Sequence, residues 1–397
     1  MGMTYLWFAR INTMKLPRIL FVFILLLSFS GFGITLSKQA ISVESEKEDK
    51  TTDVSEPRTK ETYCLAKVIK IISDLKEELP GGNNQRAQQL VIKVLTGQDK
   101  GKIRSTENII PDNPAFAIVG AIGKKYLVTK VENIDNGQED YFLVDYNREY
   151  LIWILTGIFL ITLIIVGGFK GLRAIASLVL TIGLVAFVLL PSIEKGINPL
   201  LSTVLVSILS TALTMMFVAG LNKKSLASTL GTGIGVCISG LIATLVIKIA
   251  PLSGLASNEA MILWGNQLYQ VNFKGLLASG MIISCLGAVM DVAISVASSI
   301  QEIKIANLNY TFNDLFKSGM NVGKDIMGTM TNTLVLAYTE MALPLLLLIS
   351  HEKNPAKFLN LELVVSEVTA AISGSVGLII AIPATALIMS YLVDKKK

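Results

Sequence analysis

Uncharged or nearly uncharged apolar runs of bilayer-spanning length recur along most of this 397-residue chain. Hydrophobic residues make up 52% of the sequence and charged residues only 16%, a composition that excludes an ordinary soluble domain. A helix needs about 20 mostly apolar residues to cross the hydrocarbon core of a membrane. About eight runs meet this requirement: residues 16–36, 150–169, 174–193, 200–220, 226–249, 275–298, 326–350 and 368–393. The sequence therefore predicts a mainly α fold, a polytopic helical bundle that has the lipid bilayer as its surroundings.

The basic residues between these runs predict the direction in which each run crosses the membrane. Lys170 with Arg173, and Lys223 with Lys224, separate successive runs and fall on one side of the membrane if the spans alternate. Cytoplasmic loops are enriched in lysine and arginine, so this side is the cytoplasmic one and both chain termini lie there. We therefore expect a multi-pass membrane protein with both termini in the cytoplasm.

The first run, within residues 1–36, has two interpretations. It is either a transmembrane helix that anchors the chain or a cleaved signal peptide, because both have a basic start and an apolar core. No clear small-residue cleavage motif follows it, which favours the anchor. The next stretch, residues 37–62, is charged and poor in large apolar residues, a composition typical of a disordered linker.

Residues 63–148 differ from the rest of the chain, because short apolar segments alternate there with turn residues. The segment "LVIKVLTGQDKGKIRSTENI" predicts two strands joined by a turn around Gly97–Gly101. The segment "KKYLVTKVENIDNGQEDYFLVDY" predicts a second hairpin with Asn136-Gly137 as its turn. We expect a small β-rich extracytoplasmic domain that docks on the membrane part or on an external protein partner. A seven-span transmembrane domain, residues 149–397, then follows.

Charge and composition exclude several classes of partner and cofactor. The formal net charge of +5 is modest and requires no nucleic-acid partner. The three cysteines, Cys64, Cys237 and Cys285, form no close pair, so neither a disulfide framework nor a thiolate metal site is expected. A single histidine, His351, makes a zinc or haem site improbable. No cofactor and no metal are therefore expected.

One acidic residue, Asp291, lies inside the uncharged run from Gly275 to Gln301. A charge in the middle of a membrane costs about 2.5–3.5 kcal/mol. Helical spacing places other polar or small residues on the same face as Asp291: Ser284, Gly287, Ser295, Ser298 and Glu302. We expect this stripe to face the interior of the bundle and Asp291 to carry protons or ions. The alternative is that Asp291 hydrogen-bonds a neighbouring helix and fixes packing.

The following run carries a second polar stripe, with Asp325, Thr329, Asn332 and Thr339 on one helical face and Glu340 beside it. Two adjacent antiparallel helices would place Asp291 in the inner half of the membrane and Glu340 in the outer half. Titratable groups at such intervals, with hydroxyl and amide groups between them, suit a proton or cation path. Hydrogen bonding between helices is the alternative role for the serines and threonines, and Asp325 also fits an N-cap at its helix start.

The fifth run is rich in small residues, with Gly231, Gly235 and Ser239 spaced four apart. This spacing predicts close helix packing of the small-xxx-small kind. Such a face serves a homo-oligomer as readily as packing within one chain.

Three segments together resemble the YibE/F-like family of bacterial integral membrane proteins: "VGGFKGLRAI" (166–175), "GAVMDVAISVASSI" (287–300) and "NLNYTFNDLFKSGMNVGKDIMGTMTNTLVLAY" (307–338). The resemblance covers about residues 85–393, and the segments around Asp291 and Asp325 are its most specific parts. It implies a polytopic plasma-membrane protein, and it implies no settled biochemical activity.

A weaker similarity links the same region to the membrane halves of the resistance-nodulation-division superfamily, which includes proton-driven accessory subunits of Sec protein export. In that superfamily an intramembrane acid takes part in proton coupling. The similarity implies this role for Asp291, with Thr329, Thr331 and Asn332 as its neighbours. This chain departs from the pattern in its small external domain and in two additional spans.

Two functions remain open from the sequence. The first is a proton- or ion-coupled transporter or export factor that uses Asp291. The second is a non-catalytic scaffold or assembly factor that acts through the external domain. An intramembrane aspartyl protease built from Asp291 and Asp325 lacks the Gly-x-Gly-Asp motif, because Lys324 precedes Asp325. Serine and zinc proteases lack the necessary histidines, so the chain is not expected to be an enzyme.

Overall fold

The structure, a computed structural model, describes residues 59–78, 84–134, 137–265, 271–350 and 355–394. The chain divides into two compact units after Thr162, inside a long helix. The predicted first span, the signal-peptide alternative and most of the predicted linker lie outside the described residues.

The first unit contains a five-stranded antiparallel sheet in the order β3-β2-β1-β4-β5. The strands are β1 (Thr59–Glu78), β2 (Asn84–Val94), β3 (Ile103–Ile110), β4 (Lys125–Asn133) and β5 (Glu139–Tyr146). Both predicted hairpins, β2–β3 and β4–β5, are present, so the prediction of a separate β domain is confirmed. β1 is an addition, because it begins at Thr59, inside the predicted linker, and pairs with both β2 and β4.

The sheet curls until its two edge strands approach each other. The Thr106 hydroxyl on β3 donates a hydrogen bond to the carbonyl of Tyr141 on β5. Alternate residues of β2, namely Leu90, Ile92 and Val94, are buried on the concave side. They pack there with Val68 of β1, as the two-residue period of a strand requires. The curled sheet therefore encloses its own hydrophobic core.

The second unit is helical. After α1 (Glu149–Leu184) and a π-helical turn (Val185–Leu189), the elements are α2 (Leu190–Glu194), α3 (Pro199–Ala219), α4 (Lys223–Ile249), α5 (Asn258–Gly265), α6 (Phe273–Ala306), α7 (Phe312–Ser350), α8 (Pro355–Leu359) and α9 (Glu362–Asp394). Helices predominate in the described chain, as the sequence predicts.

Within the described ranges, five helical segments are long and apolar enough, by length and composition, to cross a membrane. They are Glu149–Glu194, Pro199–Ala219, Lys223–Ile249, Phe273–Ala306 and Glu362–Asp394. The predicted count of about eight spans is not confirmed. Two predicted spans fall together in Glu149–Glu194, and the predicted span 326–350 lies within α7, which is not one of the five.

Gly168 divides α1 between the two predicted runs. Its backbone (φ 52°, ψ −130°) lies outside the helical region, in a conformation with positive φ that glycine adopts most readily. The chain bends so sharply there that a Cβ on Gly171 would overlap the carbonyl oxygen of Leu163. The residues on both sides of Gly168 are therefore helical, but the helix axis changes direction at this glycine.

Helices α4, α6 and α9 form the centre of the second unit, with α3 and α7 packed against them. The core of this centre consists of small and branched apolar side chains, including Ala227 of α4, Val289 and Val296 of α6, and Ala381 of α9. Contacts at Gly235–Gly377 and Gly231–Thr385 make α4 and α9 antiparallel, whereas Cys285–Gly374 and Lys304–Asp394 make α6 and α9 parallel.

Candidate functional site

Asp291 lies near the middle of α6, on the side that faces away from the central core. Val289 and Val292 are fully buried, while Gly287 and Asp291 are exposed in this structure. Gly287 and Asp291 therefore do not lie on the core face of α6, which small and β-branched side chains occupy, whereas Ser284 of the same predicted stripe contacts α7. The Ser295 hydroxyl donates to the backbone carbonyl of Asp291 at 2.7 Å and so does not engage its carboxylate.

Contacts between α6 and α7 fix the height of Asp291. The hydroxyls of Ser284 and Tyr338 are hydrogen-bonded, and Gly319 of α7 faces Ile300 of α6 further along. Between these contacts, Asp291 is roughly level with residue 330 of α7. This antiparallel register brings the predicted neighbours Thr329, Thr331 and Asn332 to the height of Asp291.

The three predicted neighbours point in different directions. Thr329 and Asn332 are exposed. The Thr331 hydroxyl oxygen is buried and has no hydrogen-bond partner within the described part of the chain. Thr331 is thus the predicted neighbour with a polar atom held inside the bundle at the height of Asp291.

Asp325 and Glu340 are exposed on α7, away from the face that contacts α6 and α9. That contact face includes Gly323 and Leu334, both buried. Across the described residues, no hydrogen bond or ion pair joins Asp291 to Asp325 or Glu340. Asp325 and Glu340 therefore lie on a helix that packs against α6, but neither contacts Asp291 within the described residues.

The alternative role of Asp325 as an N-cap is wrong. Helix α7 begins at Phe312, well before Asp325. Thr311 and Asp314 cap it reciprocally: the Asp314 carboxylate accepts from the Thr311 amide (3.0 Å) and hydroxyl (2.7 Å), and the Thr311 hydroxyl accepts from the Asp314 amide (3.4 Å). This capping arrangement starts α7 at Phe312, whereas the apolar run predicted from the sequence begins at residue 326.

Sequence reasoning missed two residues near this site, Tyr338 and Glu367. Tyr338 is half-buried and packs against the cluster that contains Ala278, Met281 and Ala370. Gly319 faces Ala386 and Gly323 faces Ile382, and continuing this antiparallel register places Tyr338 level with Glu367. Glu367 is half-buried. The available signal was a lone acid immediately before the run 368–393.

A cavity of about 160 Å³ lies beside the same face of α6, between α1, α3 and α6. Gly287, about one helical turn before Asp291, and Met290, the residue immediately before it, form part of its wall. Thr181 and Ser210, whose hydroxyls are 2.9 Å apart, form another part. The π-helical turn contributes Val185 and Leu189, and such turns are frequent at functional sites.

The small residues of α4 lie in the central helix interface. Gly231 faces Thr385, and Gly235 faces Gly377 and Ala381 of α9. The Ser239 hydroxyl is buried 3.6 Å from the Cys285 sulfur of α6. In this structure all three predicted packing residues therefore contact helices of the same chain.

A carboxylate latch connects the end of α4 to the start of α9. Glu362 accepts hydrogen bonds from the amides of Ser253 (2.7 Å) and Gly254 (2.8 Å) and from the Ser253 hydroxyl (2.9 Å). Glu362 is also the first residue of α9, where a negative charge interacts favourably with the helix dipole. These hydrogen bonds hold the Ser253–Gly254 loop at the start of α9, five residues before Glu367.

The β unit carries an ionic network around the nearly buried Lys130. Its ammonium group donates to Asp99 at 2.8 Å and to Glu139 at 2.6 Å. Hydrogen bonds from Lys102 and Lys130 hold the pKa of Asp99 well below its usual range. Burial lowers the pKa of Lys130, but its bonds to Asp99 and Glu139 outweigh this effect and raise the pKa above its usual range. The acids and bases of this network satisfy one another, so we interpret it as structural.

The described residues contain no group of three or more His, Cys, Asp or Glu side chains that could hold a metal ion.

Comparison with known families assigns the helical part of the chain. A family model described as YibE/F-like protein matches residues 155–395, which is more than half of the chain and excludes the β unit. No curated protein and no solved structure matches the chain. The match and the five apolar helices indicate a membrane protein. The chain belongs to the YibE/F-like family.

Proposed function

We propose that this protein is a transporter or export factor coupled to the movement of protons or cations, with Asp291 as its working acid. The observation that carries the proposal is the exposed Asp291 near the middle of α6, inside the uncharged run from Gly275 to Gln301. A side chain that fixes helix packing bonds a neighbouring helix, whereas Asp291 faces away from the core and its side chain has no hydrogen bond to another helix within the described residues.

The cost of a charge in a membrane helix favours a functional role for Asp291 over a packing role. A charged side chain in a membrane helix costs about 2.5–3.5 kcal/mol, whereas a hydrogen bond between membrane helices contributes about 0.6 kcal/mol on average. We explain the presence of Asp291 at this cost by a transport cycle in which its carboxyl group is alternately charged and neutral. Protonation neutralises Asp291 for the low-dielectric state, and deprotonation or cation binding favours a second state.

The cavity beside Gly287 and Met290 supports this mechanism. It leaves room for α1, α3 and α6 to repack when the charge on the adjacent Asp291 changes. Repacking of helices around a titrating acid is the two-state element that coupling requires.

We further propose the eight-span arrangement with both termini in the cytoplasm. Lys223, Lys304 and Asp394 lie at the same end of the helical unit, because Lys223 donates to the Leu392 carbonyl and Lys304 is 3.8 Å from Asp394. The positive-inside rule makes this the cytoplasmic end. Labelling of Lys317→Cys and Glu259→Cys in intact cells with a membrane-impermeant maleimide tests it. We expect labelling at position 259 alone, and labelling at position 317 would contradict the arrangement.

The coupling proposal is tested by reconstituting the protein in vesicles and imposing a pH gradient. We expect proton flux in the wild type and none in Asp291→Asn. Asp291→Glu, which retains a titratable carboxyl group, is expected to keep part of the flux. Equal flux in the wild type and Asp291→Asn would contradict the role of Asp291.

A second candidate function is a scaffold that acts through the β unit. Phe116 and Ile122 favour it, because they are 70% and 64% exposed on one loop. The loop is held in place by hydrogen bonds from its backbone amides, Gly120 to the Gln88 side chain at 2.8 Å and Ala121 to the Tyr126 hydroxyl at 2.8 Å. Fixed apolar side chains of this kind suit protein recognition. If the scaffold function holds, the double substitution Phe116→Ser, Ile122→Ser abolishes activity in cells while Asp291→Asn preserves it.

A further inference from the structure

We propose that Glu367, Tyr338 and Ser284 form a proton relay that leads from the N-terminal end of α9 to Asp291. This inference rests on the proposed function and assigns the route by which the working acid exchanges protons. It replaces Glu340, the outer acid predicted from the sequence, with an acid on a different helix.

The first part of the relay is the hydroxyl pair. The hydroxyls of Ser284 on α6 and Tyr338 on α7 are hydrogen-bonded, and each oxygen can both donate and accept. The phenol ring is anchored by apolar packing against the cluster that includes Met281 and Ala370. Its hydroxyl is therefore held at the α6–α7 interface.

The second part of the relay is its proton donor, Glu367. Glu367 lies five residues after the start of α9, about 7.5 Å along the helix axis, immediately before the apolar run 368–393. The register of α7 on α9 places it level with Tyr338. Glu367 can thus take protons from the aqueous phase and present them at the height of the hydroxyl pair.

The third part of the relay is the path along α6 from Ser284 to Asp291. Ser284 precedes Asp291 by seven residues, two helical turns or about 10 Å on one face of α6. Gly287 lies between them, and no atom approaches within 4 Å of the place where its Cβ would stand. The relay requires a short chain of bridging waters along this open strip of α6.

The transfer conserves protons at each group. Protonated Glu367 gives its proton to the Tyr338 oxygen while the Tyr338 hydroxyl proton passes to the Ser284 oxygen. The Ser284 proton passes to bridging water, and the water delivers a proton to the Asp291 carboxylate. At the end Glu367 is a carboxylate, Asp291 is a neutral acid, and both hydroxyls are unchanged.

The chain supplies a matched control for Glu367. Glu340 lies two residues after Tyr338 and is also an acid near the same end, but it is exposed on the side of α7 away from Ser284. A relay predicts that Glu340→Gln has no effect. A general need for negative charge at this end predicts that Glu340→Gln and Glu367→Gln behave alike.

The test measures proton flux into vesicles that contain the full-length protein and a pH-sensitive dye. We expect Glu367→Gln and Tyr338→Phe to slow the flux on the order of tenfold or more, and Glu340→Gln to leave it unchanged. Tyr338→Phe keeps the ring packing and removes one hydroxyl, so it remains informative if Glu367→Gln does not fold.

The outcomes separate this inference from the proposed function. Unchanged flux in Tyr338→Phe, with Asp291→Asn inactive, overturns the relay and leaves the proposed function intact. An equal loss in Glu340→Gln also overturns the relay. Absence of proton flux in the wild type overturns both.

Discussion

The backbones of Gly235 on α4 and Gly377 on α9 approach so closely that a Cβ on either residue would lie 2.6–2.7 Å from the carbonyl oxygen of the other. This distance is shorter than any ordinary contact to a Cβ atom. The pair lies in the interface between two central helices, where lipid gives no hydrophobic drive and close packing supplies much of the stability.

Gly235→Ala tests this interface. We expect it to destabilise the protein by about 1–3 kcal/mol, because the added methyl group forces two helix backbones apart. Gly280→Ala on α6 is the matched control, since nothing lies within 4 Å of its Cβ position. Thermal unfolding in detergent should show a lower midpoint for Gly235→Ala alone, and equal midpoints for the two variants would refute the close packing.

The latch between Glu362 and the Ser253–Gly254 turn gives a second prediction. Glu362→Ala leaves the Ser253 and Gly254 amides without their carboxylate acceptor, a loss of about 1–3 kcal/mol for partly buried donors. Hydrogen exchange in a peptide that covers residues 250–257 should accelerate. Glu259→Ala, in the neighbouring α5, serves as the control and should leave this peptide unchanged.

The nearly buried Lys130 gives a third prediction. Lys130→Met removes one partner from the ionic network and leaves Asp99 and Glu139 poorly compensated, at an expected cost of roughly 3 kcal/mol. Lys102→Met removes a side chain that is 52% exposed and is expected to cost less than about 1 kcal/mol. Hydrogen exchange of β2 and β4 in the full-length protein measures both, and similar protection in the two variants would contradict the assignment.

The same network predicts acid sensitivity of the β unit. The pKa of Asp99 is lower in the folded state than in the unfolded chain, so its stabilisation is present above the unfolded pKa of about 3.9. It is lost as the pH falls from there through the folded pKa. After correction for intrinsic exchange rates, protection of the β strands should decrease below about pH 4. Constant protection down to much lower pH would mean that the network contributes no net stability.

Local patterns were sufficient for much of the fold. The β2–β3 and β4–β5 hairpins were predictable because strand alternation and turn glycines act over a few residues, and Gly97, Gly101 and Gly137 have positive φ. The four-residue spacing of Gly231 and Gly235 likewise identified a helix face. β1 was missed because its charged first residues have the composition of a linker, although pairing with β4 orders them.

Features that depend on contacts between distant segments were not predictable. The start of α7 was placed too late, because the apolar pattern begins after its capped first turns. The pairing of Tyr338 with Ser284 and the register that brings Glu367 level with Tyr338 depend on three helices that meet only in the folded chain. The exposed side of Asp291 has the same origin, since the core face of α6 is chosen by α4 and α9.

The most direct test of the account is proton flux in reconstituted vesicles under an imposed pH gradient, comparing the wild type, Asp291→Asn and the control Asp325→Asn. Asp325 is an exposed acid on α7 that does not contact Asp291, so its neutral variant is expected to retain wild-type flux. We predict flux in the wild type and in Asp325→Asn, and none in Asp291→Asn at unchanged thermal stability. Flux that persists in Asp291→Asn, or its absence from the wild type, would contradict the assignment of Asp291 as the working acid.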